Sequence, residues 1–293
     1  MSQLLSTSEL IRKYDLLPKK NLGQNFILDK NYTDKIAKSA GDLSDAIVLE
    51  VGGGPGSLSR SILDAGAKKL IIIEKDQRCI NALMELKNFY GARLEIINDD
   101  ALTINEIEVL QQKFNLTSKI KIIANLPYNI GTELIFKWLK ILPHIDSLTL
   151  MLQKEVVDRI VANIGSKAFG RLALMINLKC DSKMLFVVNK EVFLPPPKVQ
   201  SAIVSIIPNA DKLQKFSDDK TYQIYDQLIK AASLQRRKMI KSSLKSFFNK
   251  YHIASSQIDN LLQQSHISPH ARMQEINHEK FFHLAKTLTI ILT

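Results

Sequence analysis

The chain has 293 residues, of which 45% are hydrophobic and 24% charged, and its formal net charge at pH 7 is +11. No apolar run approaches the roughly 18 residues of a membrane-spanning helix, and the acidic residues Glu9 and Asp15 make the N-terminus unlike a secretory or mitochondrial targeting segment. These features predict a cytoplasmic protein of about two domains, and the basic charge favours a polyanionic partner without identifying one.

Seven apolar runs predict strands. In chain order they are 46–51 (AIVLEV), 70–74 (LIIIE), 94–98 (LEIIN), 120–124 (IKIIA), 148–152 (LTLML), 184–188 (MLFVV) and 202–207 (AIVSII). Several are continuous Ile, Val and Leu runs, which are typical of strands buried on both faces of a parallel sheet. Segments of helical character lie between most of them, at 58–65, 76–87, 133–140 and 155–163. This alternation predicts an α/β doubly wound, Rossmann-like sheet.

The link between the last two predicted strands contains residues 193–199 (FLPPPKV). It is too short and too rich in proline for a crossover helix, so it permits an antiparallel pair but not a parallel one. We therefore expect one antiparallel strand in an otherwise parallel sheet.

After Pro208 the pattern becomes helical, and Tyr222, Tyr225 and Leu228 are among the apolar residues that recur at helical spacing. The polar stretch 209–220 is interpreted as a linker, and the run 288–292 is the remaining strand candidate. We expect a domain over residues 1–210, with an N-terminal extension over 1–18, and a small helical C-terminal domain over 211–293.

A glycine-rich loop, Glu50-Val51-Gly52-Gly53-Gly54-Pro55-Gly56, follows the first predicted strand and precedes a predicted helix. Glycines let the backbone turn tightly and approach a ligand closely, and the helix behind them offers free N–H groups. Gly52 and Gly54 are therefore candidate cofactor contacts. The GxGxxG spacing of dinucleotide sites fails, because Ser57 and Ser59 occupy the possible third glycine positions.

Acidic residues follow the next two predicted strands. Glu74 ends the second strand, where a carboxylate can accept hydrogen bonds from ribose hydroxyls, each worth about 1.5–3 kcal/mol. Because NAD and S-adenosylmethionine both carry that ribose, Glu74 does not distinguish them. Asp100 follows the third strand, at the position where methyltransferases place an acid against the amino group of the cofactor's adenine.

The sequence Asn125-Leu126-Pro127-Tyr128-Asn129 follows the fourth predicted strand. An adenine amino nitrogen is a poor nucleophile, and it becomes a better one when two acceptors hold its protons. The Asn125 side chain and the Leu126 carbonyl are adjacent acceptors, and proline restricts Leu126 to an extended conformation. Tyr128 can stack on the base for about 1–3 kcal/mol. The motif predicts methylation of an adenine amino group by positioning, without a strong base.

These motifs and others, in order, resemble the small-subunit (16S) rRNA adenine-N6,N6-dimethyltransferase family, the kasugamycin-resistance methyltransferases. The segments that carry the resemblance are 20–26, 50–56, 125–130, 152–156, 170–172, 193–199 and 235–238. They are distributed over nearly the whole chain. The resemblance implies a class I methyltransferase sheet of seven strands with a small helical C-terminal domain, and S-adenosyl-L-methionine as the cofactor.

The resemblance also implies a substrate and a set of site residues. The substrate would be two adjacent adenosines in the 3′-terminal hairpin loop of small-subunit rRNA, within an assembling small ribosomal subunit. The cofactor positions of the family fall on Asn25, Ile27, Gly52, Glu74, Asp100 and Asn125. Phe193 resembles the family aromatic that packs on the other face of the target base. One position departs from the family, which often has proline where this chain has Gly53.

Basic residues are concentrated towards the C-terminus, where residues 211–293 hold 13 Lys and Arg against 7 Asp and Glu. Arg236, Arg237, Lys238 and Lys241 are expected along one helix and are our candidate RNA contacts. Lys19 and Lys20 form a weaker candidate of the same kind. A monomer is expected. The two cysteines and six histidines lack metal-ligand spacing, so we expect reduced core thiols and no metal site.

Three other functions are open at this point. A large-subunit rRNA adenine methyltransferase of the macrolide-resistance type shares the glycine loop and an Asn-x-Pro-Tyr motif, although residues 195–197 (PPP) favour the small-subunit family. A ribosome-assembly or transcription factor that keeps the fold without catalysis is the second. A nicotinamide-dependent dehydrogenase is the third, and it is disfavoured by the glycine spacing.

Overall fold

The structure, a computed structural model, describes residues 4–18, 23–114 and 118–292. Lys19 and Lys20 lie outside these ranges. The strands are β1 Phe26–Ile27, β2 Ile47–Val51, β3 Lys69–Glu74, β4 Leu94–Asn98, β5 Ile120–Asn125, β6 Ile145–Gln153, β7 Cys180–Val188, β8 Phe193–Leu194 and β9 Ser201–Pro208. Every predicted strand from residue 46 to residue 207 is therefore present, with small differences at the ends.

Helices separate most of the strands and fill the C-terminal region. They are α1 Thr7–Lys13, α2 Lys30–Ser39, α3 Ser57–Asp64, α4 Gln77–Tyr90, α5 Glu106–Phe114, α6 Gly131–Trp138, α7 Lys154–Ile160, α8 Arg171–Asn177, α9 Ala210–Lys215, α10 Asp219–Leu234, α11 Ile240–Ser243, α12 Lys245–Lys250, α13 Ser255–Gln264 and α14 His278–Leu292. Two sequence interpretations are wrong. The stretch 209–220 contains α9, whose N-cap Asn209 accepts a hydrogen bond from the Lys212 amide, and the run 288–292 ends α14.

Within the described residues, seven strands form one sheet in the order β4-β3-β2-β5-β6-β9-β7, and β1 pairs with β8 in a second sheet. The pairs β2–β3, β2–β5, β3–β4 and β5–β6 are parallel, whereas β6 and β9 are antiparallel. The expected antiparallel strand is thus confirmed as β9. The order reverses between β2 and β5, which is the position where doubly wound folds bind ligands.

Burial explains why the central strands have continuous apolar sequences. Leu70, Ile71 and Ile72 of β3 are all fully buried, and the same holds for Ile122 and Ile123 of β5. A strand covered by helices on both faces has no solvent-facing position, so its side chains do not alternate between apolar and polar. These strands fix the positions of the polar residues that follow them.

The chain divides into two compact units. One comprises residues 1–157 and 183–208, and the other comprises 158–182 and 209–293. The first unit holds the strand pairs described above, and the second is mostly helical. In the second unit α10 packs against α14 and α8, and the buried Tyr225 hydroxyl donates to the Leu174 carbonyl at 2.8 Å. The sequence did not indicate that residues 158–182 group with the C-terminal residues.

The N-terminal segment packs on α4 in the first unit. Leu10 and Leu16 are buried in the core, and Lys13 and Tyr14 both donate to the Glu85 carboxylate at 2.6 Å. The capping box of Ser6 and Glu9 begins α1. Of the helices described, none is long and apolar enough to cross a membrane.

Candidate active site

A cleft opens at the carboxyl ends of the parallel strands in the first unit. Its volume is about 680 Å³ when the open solvent at its mouth is included. The lining residues are Gly23, Gln24, Asn25, Phe26, Val51, Gly52, Gly54, Ile73, Glu74, Lys75, Asp99, Asp100, Ala101, Asn125, Leu126, Pro127, Tyr128 and Ile130. The structure thus brings together eight predicted site residues from five segments of the chain.

The glycine loop forms one wall of the cleft with a conformation that needs glycine. Gly52 and Gly54 have φ angles of +74° and +52°, which residues with a side chain rarely adopt. A Cβ on Gly54 would also lie 3.0 Å from the Phe26 ring. Gly53 is different, because its φ is not positive but a Cβ there would lie 2.7 Å from the Ile72 side chain. Close packing on β3 therefore leaves little room for the Cβ that proline would add at this position.

Glu74 is held at the end of β3 by the backbone around it. Its carboxylate accepts from the amides of Gly54 at 3.0 Å and of Lys75 and Asp76 at 2.9 Å. Burial raises its pKa, and these three hydrogen bonds partly offset that effect. An ionised carboxylate has about four acceptor positions. The arrangement therefore orients the group rigidly and leaves acceptor capacity for a ligand hydroxyl.

A second acidic residue, Glu50, lies buried beneath the glycine loop and was missed in the sequence analysis. It is 1% exposed, and its carboxyl accepts from the Ser59 hydroxyl at 2.6 Å. Burial and the nearby charge of Glu74 raise the pKa of Glu50 to about 8. A glutamate in the apolar run 46–51 was the available signal, because a charged residue in a doubly buried strand needs a partner.

Asp100 follows β4 and lines the same cleft as Gly52 and Gly54. Its carboxylate accepts from the Leu102 amide at 2.9 Å and from Lys75 Nζ at 3.2 Å. The Leu102 hydrogen bond, followed by the Lys75 contact, holds the pKa of Asp100 below its ordinary value despite partial burial. The group is therefore a fixed anion at the cleft, suited to accept from an amino group.

The Asn125 motif begins where β5 ends. Asn125 Nδ2 donates to the Asn25 carbonyl at 3.0 Å, so the side-chain oxygen points away from that carbonyl and keeps its acceptor capacity. The Pro127 carbonyl accepts from the amides of Ile130 and Gly131 and so opens α6. The Tyr128 hydroxyl lies 2.6 Å from the buried Ser201 hydroxyl, which fixes the half-buried ring.

Asn25 owes its position to a network that the sequence did not reveal. Its neighbour Gln24 donates to Asp76 at 3.1 Å, and Arg78 contacts the same carboxylate at 2.7 Å. Burial raises the pKa of Asp76, but the hydrogen bonds from Arg78 and Gln24 bring it down to about 2. Arg78 also donates to the carbonyls of Asp15 and Leu17. This network ties the segment before β1 to the corner after β3.

Two predicted site residues lie outside the cleft lining. Ile27 of β1 and Phe193 of β8 are partners across the small sheet, and each is 3% exposed within the core. Their roles at the cofactor and the target base stay predictions. The neighbouring Leu194, which pairs with the lining residue Phe26, is 39% exposed.

The basic residues of the C-terminal unit do not lie along one helix, so that expectation is wrong. Residues 235–238 form a turn between α10 and α11, and Lys241 lies in α11, where it pairs with Asp259 at 2.7 Å. The Arg236 guanidinium donates to the carbonyls of Lys167 and Phe169 and so stabilises the turn. Arg237 and Lys238 are exposed.

The parallel sheet with its reversal beside β2, and the polar residues at the carboxyl ends of its strands, define a Rossmann-like methyltransferase. The family model of the ribosomal RNA adenine dimethylases matches residues 17–289. The chain belongs to that family.

Individual relatives agree with this membership. A Paracoccus denitrificans protein named ribosomal RNA small subunit methyltransferase A is 44% identical over 96% of this chain and 94% of its own length. A Ruegeria sp. (strain TM1040) protein of the same name is 43% identical over 96% and 95%. Among solved structures, a dimethyladenosine transferase from Plasmodium falciparum aligns with a TM-score of 0.73 and 27% identity, covering 88% of this chain and 95% of that one. The 23S rRNA methyltransferase ErmE shares the fold, with a TM-score of 0.65 and 24% identity over 90% and 99%.

Proposed function

We propose that this protein methylates the exocyclic amino groups of two adjacent adenosines in the 3′-terminal hairpin loop of small-subunit rRNA, with S-adenosylmethionine as methyl donor. The observation that carries the proposal is Asn125, which lines the cleft with its amide nitrogen held by the Asn25 carbonyl. Family membership and the small-subunit relatives support the choice of substrate.

The cleft fits the proposed cofactor. Glu74 retains acceptor capacity for the ribose, and Asp100 is an anion suited to the adenine amino group. Gly52 and Gly54 keep side chains out of the space beside them. When bound, S-adenosylmethionine supplies an electrophilic methyl group.

The residues of this chain would activate and orient the target base. The Asn125 oxygen and the Leu126 carbonyl would accept the two amino protons, which gives the nitrogen more sp³ character and turns its lone pair towards the methyl group. The Tyr128 ring, held through Ser201, would stack on the base. Because the methylated ammonium is acidic enough to lose its proton to water, positioning provides most of the catalysis.

The decisive experiment supplies labelled S-adenosylmethionine to small ribosomal subunits from cells that lack this modification, with large subunits in parallel. Dimethyladenosine in small-subunit rRNA alone is the expected result. Label in large-subunit rRNA would instead favour the resistance-type activity. Cofactor binding without transfer to either subunit would favour a non-catalytic assembly factor.

The exposed basic turn is our candidate contact with the rRNA of the assembling subunit. We expect Arg237→Glu combined with Lys238→Glu to weaken binding and to reduce the slope of log affinity against log salt by roughly 0.7–0.9 for each phosphate that is no longer neutralised. Lys280→Glu combined with Lys286→Glu, which reverses two exposed charges on α14, is the matched control. A salt slope equal to that of the unmodified protein would refute the role of this turn. Arg236 and Lys241 belong to the proposed RNA-binding surface, but their local bonds make them poorer test sites.

A further inference from the structure

Lys137 of α6 makes three contacts beneath the turn that follows β4. Its ammonium donates to the carbonyls of Ala101 at 2.6 Å and Ile104, and it pairs with a carboxylate oxygen of Glu106 at 2.8 Å. An ammonium has three donors, so these acceptors use all of them. About three quarters of the side chain is covered, since its exposure is 24%.

Glu106 makes this contact specific. It is 2% exposed, and its other carboxylate oxygen accepts from the indole N–H of the fully buried Trp138 at 3.0 Å. Two consecutive residues of α6 therefore hold one buried carboxylate at the start of α5. A buried ion pair with all its hydrogen bonds made fixes geometry, because either partner alone would be an uncompensated charge.

The turn above Lys137 carries two residues of the cleft. Asp100 and Ala101 both line it, and the Asp100 carbonyl accepts from the amides of Thr103 and Ile104. The charge of Lys137 is also close enough to help lower the pKa of Asp100. The contacts of Lys137 thus connect α6 to the part of the cleft that presents Asp100.

We propose that Lys137 is a positioning residue for the cofactor's adenine, and that with Glu106 and Trp138 it fixes the turn over residues 100–104. The inference rests on the proposed function, because that function assigns this end of the cleft to the adenine. Lys137 itself need not touch the cofactor.

The test measures binding of S-adenosylmethionine to the full-length protein by titration calorimetry. Lys137→Met is expected to weaken binding about tenfold, equivalent to about 1.4 kcal/mol, with kcat at saturating cofactor nearly unchanged. Lys137→Arg should recover part of the loss, because its N–H groups can reach the same carbonyls. Lys140→Met, which alters an exposed lysine just past α6, should bind like the unmodified protein.

If the Lys137→Met protein fails to fold because the buried Glu106 carboxylate has lost its partner, a second variant is needed. Lys137→Met combined with Glu106→Gln removes both charges and still deprives the turn of its lysine. We expect weaker binding here too, with faster hydrogen exchange of the Thr103 and Ile104 amides in the cofactor-free protein. Unchanged affinity and exchange would overturn the positioning role.

A mutant cycle with Asp100→Ala tests whether Lys137 acts through Asp100. If it does, adding Lys137→Met to Asp100→Ala should weaken binding no further than the larger single effect. If the double variant instead loses affinity by the product of the two single losses, the inference is overturned, while the proposed function stays intact. Failure of the unmodified protein to bind S-adenosylmethionine would instead overturn the proposed function.

Discussion

Replacing Asn125 tests the proposed chemistry at a single side chain. Asn125→Ala removes the side-chain oxygen that would accept from the adenine amino group. It also removes the hydrogen bond to the Asn25 carbonyl. Loss of one preorganised polar partner of a reacting group costs about 100- to 1,000-fold in rate. Loss of one neutral hydrogen bond costs about 1 kcal/mol of stability. We therefore expect a large catalytic defect in a protein that is folded and only slightly less stable.

A comparison with Asn125→Asp separates the two interactions. Aspartate keeps an acceptor oxygen but has no donor for the Asn25 carbonyl, which would now face a carboxylate. If the acceptor dominates, Asn125→Asp should retain more activity than Asn125→Ala. If the anchor to Asn25 dominates, Asn125→Asp should be no better than Asn125→Ala, because its carboxylate is repelled by the Asn25 carbonyl.

The assay is single-turnover transfer of labelled methyl groups to unmodified small subunits at saturating cofactor. Calorimetric titration of the cofactor and urea denaturation provide the controls for binding and folding. An Asn125→Ala rate within about threefold of the unmodified protein would refute the assigned role, because it is far above the range expected when a catalytic partner is removed.

Three further predictions concern charge, stacking and the glycine loop. Because the pKa of Glu50 is about 8 when folded and near 4.5 when unfolded, the folded state holds a proton between these values that the unfolded state has lost. The free energy of unfolding should thus fall as pH rises from 5 to 8, by up to about 1.4 kcal/mol per pH unit from this group. Urea denaturation at several pH values should show a flatter dependence of this free energy on pH for Glu50→Gln. The same pH dependence in both proteins would count against the burial argument. Tyr128→Ala should lower kcat/KM on small subunits about 5- to 150-fold because the base is no longer stacked. Tyr128→Phe keeps the ring, so its kcat/KM should fall only a few-fold. Equal losses of kcat/KM in the two variants would contradict stacking. Gly56→Ala should cost about 2–5 kcal/mol of stability, because Gly56 has a φ of +84° and a Cβ there would lie 2.5 Å from the Leu86 side chain. In the control Gly66→Ala, where φ is +97° and the space is open, only the backbone strain should cost stability. Similar denaturation midpoints for the two variants would refute the packing contribution.

Elements governed by local burial could be predicted from the sequence. The run at 70–74 became β3 because a strand that is buried on both faces is apolar along nearly its whole length. The cleft residues at the strand ends followed from the same reasoning, since parallel strands bring their carboxyl ends to one edge. Glu74 and Asn125 are therefore where the sequence indicated.

Features that depend on distant partners could not be predicted in this way. The pair of β1 and β8 has two residues in each strand, which is too short for any periodicity. Arg236 lies in the turn after α10, and its hydrogen bonds go to carbonyls about 70 residues earlier in the chain. Glu106 and Lys137 look like ordinary surface residues of two amphipathic helices until the fold brings them to one turn.

The helical unit is built from two separate segments of the chain, residues 158–182 and 209–293, and this affects how the protein can fold during its own synthesis. Helix α8 packs on α10, yet about 60 residues separate the end of α8 from the end of α10. At about 5–20 residues per second, the ribosome needs roughly 3–12 s to supply that partner. Hydrophobic collapse takes microseconds once the partners exist. The apolar residues of α8 from Leu172 to Ile176 are all buried. They must therefore wait for translation to supply α10, and elongation rather than hydrophobic collapse sets when the two helices can pack.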